Sequence, residues 1–127
     1  MLGVQPQQFE NGRAVLALDL RPELTNSRHV AHGAVVMAPL DCSMASASRS
    51  TVDYPTGAAT IEMSVNFLNS ATGRLTAEGR VLRNGKSFVF CEDEARDAAG
   101  ELLAKALGTY KMRRRVGDDA EPARSEA

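Results

Sequence analysis

One segment of this chain of 127 residues differs in composition from everything around it. From His32 to about Arg49 it reads HGAVVMAPLDCSMASASR, which is rich in Ala, Met and Leu and long enough for a helix of several turns. Pro39 lies inside the segment, where it removes a backbone donor and crowds the carbonyl of Val35. We therefore expect one long helix with a local kink just before Asp41.

The rest of the chain has strand patterns. Apolar and polar residues alternate over 61–68 and again over 74–81, which is typical of half-buried antiparallel strands. Further strands are expected at about 86–96 and 101–113, with a turn at 97–100 between them. Four strands in succession would form a meander.

Two Asn-Gly pairs predict the hairpins. Asn11-Gly12 and Asn84-Gly85 are each flanked by residues of strand propensity, and Asn-Gly supplies the positive φ angles of a type I′ turn. The predicted fold class is therefore α+β: a strand or hairpin, one long helix, then four antiparallel strands.

Composition and charge limit the classes of protein. A hydrophobic content of 43% suits one core, so we expect a single domain over 1–115, while the polar segment 116–127 predicts a disordered tail. A net charge of −1 does not favour nucleic acid or anionic lipid. No signal peptide and no membrane-spanning apolar run is evident, which predicts a cytoplasmic protein without a membrane partner.

The two cysteines do not suggest a metal or a disulfide. Cys42 and Cys91 are far apart in apolar surroundings, without a CxxC pair or a ligand set for zinc. We expect two buried, reduced thiols and no metal site.

The predicted helix carries the candidate chemistry. Asp41 is a carboxylate among Ala, Met and Leu, so it should be paired, solvent-facing or functional. His32-Gly33 opens the helix, where backbone N–H groups lack intrahelical partners and could stabilise an oxyanion. The alternatives are a glycine that only permits a tight helix entry and a structural histidine.

Four strings together resemble the hotdog-fold thioesterases of the PaaI-like, phenylacetate-degradation type. The resemblance covers roughly residues 14 to 113, and the strings are HGAVVMAPLDCSMASA, TIEMSVNFLNSA, GRLTAEGRVLRNGKSF and AAGELLAKALGTYKM. In that family the helix begins His-Gly-Gly and an acid follows nine positions after the His, which here is Asp41. Ala34 replaces the second Gly, and Pro39 stands two residues before the acid.

The resemblance implies a hotdog fold, in which an antiparallel sheet wraps one central helix, and hydrolysis of acyl-coenzyme A (acyl-CoA). It implies that the Gly33 N–H polarises the thioester carbonyl and that Asp41 acts as general base or nucleophile. Some relatives add an Asn six residues before the His, here Asn26, and a hydroxyl that holds the attacking water, here Thr60. Coenzyme A is part of the substrate, so no separate cofactor is expected.

The spacing of the two main candidates has a consequence for assembly. Gly33 and Asp41 are eight residues apart, or about 12 Å along a helix. One chain cannot bring both onto the same carbonyl, whereas two antiparallel helices across a two-fold axis can do so twice. The resemblance likewise implies a homo-oligomer, either a dimer or a tetramer made of two dimers.

Substrate binding is predicted from weaker signals. We assign it to His32 and to Arg83 and Lys86, which could meet coenzyme A phosphates, although solvated hairpin charges are the alternative. Apolar candidates for the acyl pocket are Met37, Met44 and Phe67, which could equally be core residues. Two other functions stay open, a hotdog hydratase or dehydratase and a non-catalytic acyl-CoA-binding module.

Overall fold

A computed structural model describes residues 3–21, 33–53 and 56–114, apart from the side chains of Ala34 and Arg114. The elements are β1 (Gln5–Glu10), β2 (Arg13–Asp19), α1 (Gly33–Arg49), β3 (Thr56–Phe67), β4 (Arg74–Asn84), β5 (Phe88–Asp97) and β6 (Leu102–Arg114). The predicted sequence of a hairpin, one helix and four strands is confirmed. Helix α1 is continuous through Pro39.

All six strands form one antiparallel sheet in the order β1-β2-β4-β5-β6-β3. The prediction that the last four strands form a meander is wrong, because β3 pairs with β6 and not with β4. The connection from β3 to β4 crosses the sheet, and only β4, β5 and β6 are consecutive neighbours. Strand β3 thus lies at a sheet edge.

The two Asn-Gly pairs behave differently. Asn11 and Gly12 have φ angles of 47° and 83°, so the first hairpin turn has the predicted positive values. The second hairpin forms, but neither Asn84 nor Gly85 has a positive φ, so the type I′ prediction is wrong there. Instead, the Gly85 N–H donates to the Phe88 carbonyl at 2.8 Å, and this bond closes the loop.

Strand β3 contains a β-bulge that changes the predicted pattern of its faces. The register with β6 shifts between Thr60 and Glu62, so Ile61 is the extra residue. Met63 and Val65 pack against the core as predicted, but Ile61 is 51% exposed. The extra residue reverses the alternation, and Thr60 takes the helix-facing position that the pattern gave to Ile61.

Helix α1 packs across one face of the sheet. Its buried side chains include Leu40 and Met44, which join a core formed with strand residues such as Leu75 and Leu103. The closest approach is at Gly79 on β4, where a Cβ atom would lie 2.6 Å from the carbonyl oxygen of Ser43. A glycine there lets the helix backbone rest directly on the sheet.

The cysteine prediction is half right. Both thiols are free and Cys91 is buried, but Cys42 is exposed because its position on α1 faces away from the sheet.

The predicted tail lies outside the described residues. In the part of the chain that the structure describes, no helix is long and apolar enough to cross a membrane.

Candidate active site

Asp41 lies on α1 where the helix passes β3 and β6. The Thr60 hydroxyl donates to Asp41 Oδ1 at 2.8 Å, and the Tyr110 hydroxyl donates to the same oxygen at 2.6 Å. The carboxyl group is only partly buried, so it is paired and still accessible to solvent. The folded chain therefore brings Asp41 and Thr60, two of the predicted site residues, into contact.

Tyr110 is the member of this group that sequence reasoning missed. Its relative exposure is 0%, and its ring is among the largest fully buried side chains. Burial, together with the hydrogen bond to Asp41, raises the pKa of Tyr110, so its hydroxyl stays protonated and serves as a donor. The sequence places Tyr110 in the predicted last strand, but a buried tyrosine does not by itself show which side chain its hydroxyl bonds.

Gly33 begins α1 and faces a separate cavity. The cavity measures about 460 Å³ and is lined by Gly33 and Val36 of the helix and by residues 67–71, which run from the last residue of β3 into the following loop. A Cβ atom at Gly33 would lie 3.6 Å from Cζ of Phe67, so the aromatic ring is the nearest wall to the helix start. This end of the helix thus has N–H groups without intrahelical partners and an adjoining space.

The structure does not bring Gly33 and Asp41 together within one chain. Asp41 contacts Thr60 near the beginning of β3, whereas Gly33 lies beside Phe67 at the end of that strand. Gly33 and Asp41 therefore lie beside different parts of the same strand. Asn26 and His32, the other predicted residues near the helix start, lie outside the described residues.

The two predicted phosphate-binding residues are exposed on the hairpin between β4 and β5. The register pairs Thr60 with Tyr110, Tyr110 with Val89, and Val89 with Asn84 in one row across the sheet. Arg83 and Lys86 flank that Asn84. The hairpin thus lies at the Asp41 end of the sheet, three strands away from Thr60.

The three apolar candidates for the acyl pocket have different surroundings. Phe67 is 51% exposed and lines the cavity beside Gly33. Met44 is a fully buried core residue, and Met37 is 36% exposed on the helix. Of the three, only Phe67 adjoins the cavity.

A second acidic side chain, Asp93 on β5, was also missed by sequence reasoning. It is fully buried beneath α1, where Oδ2 makes a hydrogen bond with the Ser43 hydroxyl, and its Oδ1 has no hydrogen-bond partner among the described residues. Burial, reinforced by the nearby Glu78 and Glu94 carboxylates, raises the pKa of Asp93 to about 8.

Within the described ranges, no group of three or more His, Cys, Asp or Glu side chains is arranged to hold a metal ion.

Comparison with known proteins identifies the family. The model of the thioesterase superfamily matches residues 29–104. A relative from Saccharolobus solfataricus, named "putative esterase", is 36% identical over 114 residues, which cover 89% of this chain and 81% of the relative. The chain belongs to the thioesterase superfamily, and the predicted class of enzyme, the thioester hydrolases, is confirmed at that level.

Solved structures support the fold. A conserved protein from Pseudomonas aeruginosa is 28% identical, with a TM-score of 0.82 and coverage of 87% of this chain and 89% of that one. The E. coli PaaI protein from the phenylacetic acid degradation operon is 22% identical, with a TM-score of 0.81 and coverage of 90% and 81%. A Streptococcus mutans protein bound to acetyl CoA is 23% identical, with a TM-score of 0.80 and coverage of 89% and 92%. The predicted hotdog fold is confirmed.

Proposed function

We propose that this protein hydrolyses an acyl- or aryl-coenzyme A thioester to the carboxylic acid and free coenzyme A. The observation that carries the proposal is the accessible Asp41 carboxylate, held by two hydroxyl donors on a helix whose N-terminus adjoins a cavity. A base and an oxyanion donor are the two groups that acyl transfer to water needs. The family and the acetyl CoA bound by a neighbour of the same fold support the substrate class.

In the proposed reaction Asp41 takes a proton from a water molecule while the oxygen of that water attacks the thioester carbonyl. The negative charge that develops on the carbonyl oxygen is stabilised by the Gly33 N–H, with Asn26 as a second donor. The intermediate collapses with cleavage of the C–S bond, and the thiolate of coenzyme A takes the proton. Direct attack by Asp41, followed by hydrolysis of the anhydride, is the alternative route.

The shared site requires a second copy of the chain, and the edge position of β3 supports one arrangement. Asp41 lies beside Thr60 and Gly33 lies beside Phe67, at opposite ends of β3. If two β3 strands pair antiparallel about a two-fold axis between these ends, Thr60 of one chain approaches Phe67 of the partner subunit. Asp41 then lies near Gly33 of the partner subunit, and the pairing forms two equal sites.

Substrate contacts follow from the same arrangement. The acyl group would enter the cavity beside Phe67, because that space adjoins the proposed oxyanion donor. His32 would contribute at the helix start. Arg83 and Lys86 would meet the coenzyme A phosphates at the sheet end where Asp41 lies. A tetramer would consist of two such dimers.

The test is a panel of acyl-CoA esters assayed with a thiol-detecting reagent. Phenylacetyl, benzoyl, and short and medium aliphatic esters would be compared, and light scattering would give the mass of the active species. We expect thiol release from at least one ester by a dimer or tetramer. Binding of esters without release would favour a non-catalytic module, and an active monomer of 13.6 kDa would contradict the shared site.

A further inference from the structure

The hydrogen bonds at Asp41 are unequally divided between its two oxygens. Thr60 and Tyr110 both donate to Oδ1, and within the described ranges no hydrogen bond reaches Oδ2. We propose that Tyr110 is a positioning residue, which fixes Oδ1 so that Oδ2 is the oxygen that takes the proton from water. This inference rests on the proposed hydrolysis and adds a residue to it.

The tyrosine ring is held in place by its neighbours on both sides. A Cβ atom at Gly108 would lie 2.9 Å from Cε1 of Tyr110 and 3.1 Å from Cε and Sδ of Met44. The ring therefore occupies the space above Gly108, between the sheet and the helix. Because it is fully buried, it cannot turn toward solvent, and its hydroxyl is aimed at Asp41.

The sheet register brings the second donor to the same oxygen. Thr60 and Tyr110 are directly paired across β3 and β6, and the bulge at Ile61 comes immediately after Thr60. Without that extra residue, the alternation that places Met63 and Val65 toward the helix would turn Thr60 away from it. The bulge thus lets a strand with an apolar inner face offer a hydroxyl to Asp41.

The donor also keeps its proton throughout an ordinary assay range. Burial and the Asp41 hydrogen bond raise the pKa of Tyr110 above its usual value. The hydroxyl can therefore donate to the carboxylate whenever Asp41 is ionised, and a phenolate does not form beside it. Short hydrogen bonds to a charged acceptor are stronger and more directional than neutral ones.

The experiment is Tyr110→Phe, which keeps the ring and removes only the hydroxyl. Losing a hydrogen bond to a charged group should lower kcat about 10- to 100-fold, with KM changed by less than about threefold. Thr60→Val, which removes the other donor to Oδ1, should lower kcat in the same way, with KM again little changed.

The matched control is Ser48→Ala, which removes another buried hydroxyl of α1. Ser48 bonds the Met44 carbonyl at 3.0 Å and lies near Cys91, not near Asp41. We expect it to lower thermal stability while leaving kcat and KM nearly unchanged. An unchanged kcat in Tyr110→Phe, or an equal fall of kcat in Ser48→Ala, would overturn the positioning role.

Asp41→Asn separates this inference from the proposed function. If Asp41→Asn is inactive and Tyr110→Phe behaves like the unmodified protein, only the positioning role fails. If Asp41→Asn hydrolyses the same ester at the normal rate, the proposed function of Asp41 fails, and the role of Tyr110 fails with it.

Discussion

Two aspartates lie on either side of the same helix–sheet interface in opposite environments. Asp41 is on the helix, partly exposed, and accepts hydrogen bonds from two hydroxyls. Asp93 is on the sheet and fully buried, and within the part of the chain that the structure describes it has one hydroxyl partner for Oδ2 and none for Oδ1. A carboxylate with donors and access to water can stay charged, whereas a sealed and underpaired one favours the neutral form.

The hydrogen bonds of Ser43 support a neutral Asp93. The Ser43 hydroxyl has a single proton, and the Leu40 carbonyl lies 3.2 Å from its oxygen. If Asp93 is protonated, its own proton can form the bond to Ser43, and the serine proton can be donated to Leu40. This is consistent with the raised pKa of Asp93, about 8.

The largest expected effect comes from Gly79→Ala, which would separate the helix from the sheet where the helix covers Asp93. Gly79 is paired with Asp93, and its added Cβ would lie 2.6 Å from the Ser43 oxygen and 2.8 Å from the Met44 nitrogen. Both are helix backbone atoms, so the helix must move off the sheet. We expect a loss of about 3 kcal/mol in the free energy of unfolding, measured by urea denaturation.

Gly57→Ala is the matched control for that substitution. Gly57 is also in a strand, its φ is not positive, and a Cβ there would meet nothing within 4 Å. Its stability should change by less than about 0.5 kcal/mol. Equal losses for the two variants would show that Gly79 is not a site of close helix contact.

A smaller effect is expected from Asp93→Asn, which removes titration from the buried position. Because the folded pKa of about 8 exceeds the ordinary value of 3.8, the unfolded chain releases this proton first as the pH rises. The aspartate's contribution to stability is therefore greatest below pH 3.8 and is lost progressively up to about pH 8. The variant should gain about 2 kcal/mol on the unmodified protein between about pH 5 and pH 6.5.

Urea denaturation at those two pH values measures this gain. Asp53→Asn, at an exposed position, is the control and should show no such difference. Glu94 does not interfere, because Lys105 and Arg96 lower its pKa to about 2 and its stabilising contribution is lost only in acid below this window. A constant difference between Asp93→Asn and the unmodified protein would mean that Asp93 is ionised in the fold.

Sequence reasoning predicted the elements well because their signals are local. The uncharged helix, the positive-φ turn at Asn11-Gly12 and the alternation on β4 each depend on a few neighbouring residues. The order of β3 in the sheet and the exposure of Cys42 depend on packing between distant segments, and these predictions were wrong.

The candidate site divides in the same way. Asp41 was singled out by the uncharged helix around it, and the family resemblance added its role and Thr60. The structure places the two residues in contact, although their roles stay predictions. Tyr110 was missed because its partner is 69 residues away in sequence and its register depends on a bulge. Asp93 was missed because its strand pattern does not reveal which face the helix covers.

The most direct test of the proposed mechanism is to measure kcat for Asp41→Asn with the ester that the unmodified protein hydrolyses best. The substitution keeps the size of the side chain and removes its charge and basicity, so folding, oligomerisation and acyl-CoA affinity should persist. We expect kcat to fall by at least about 100-fold, as is typical when a general base is lost. A near-normal kcat in a folded oligomer would show that Asp41 is structural and would contradict the proposed mechanism.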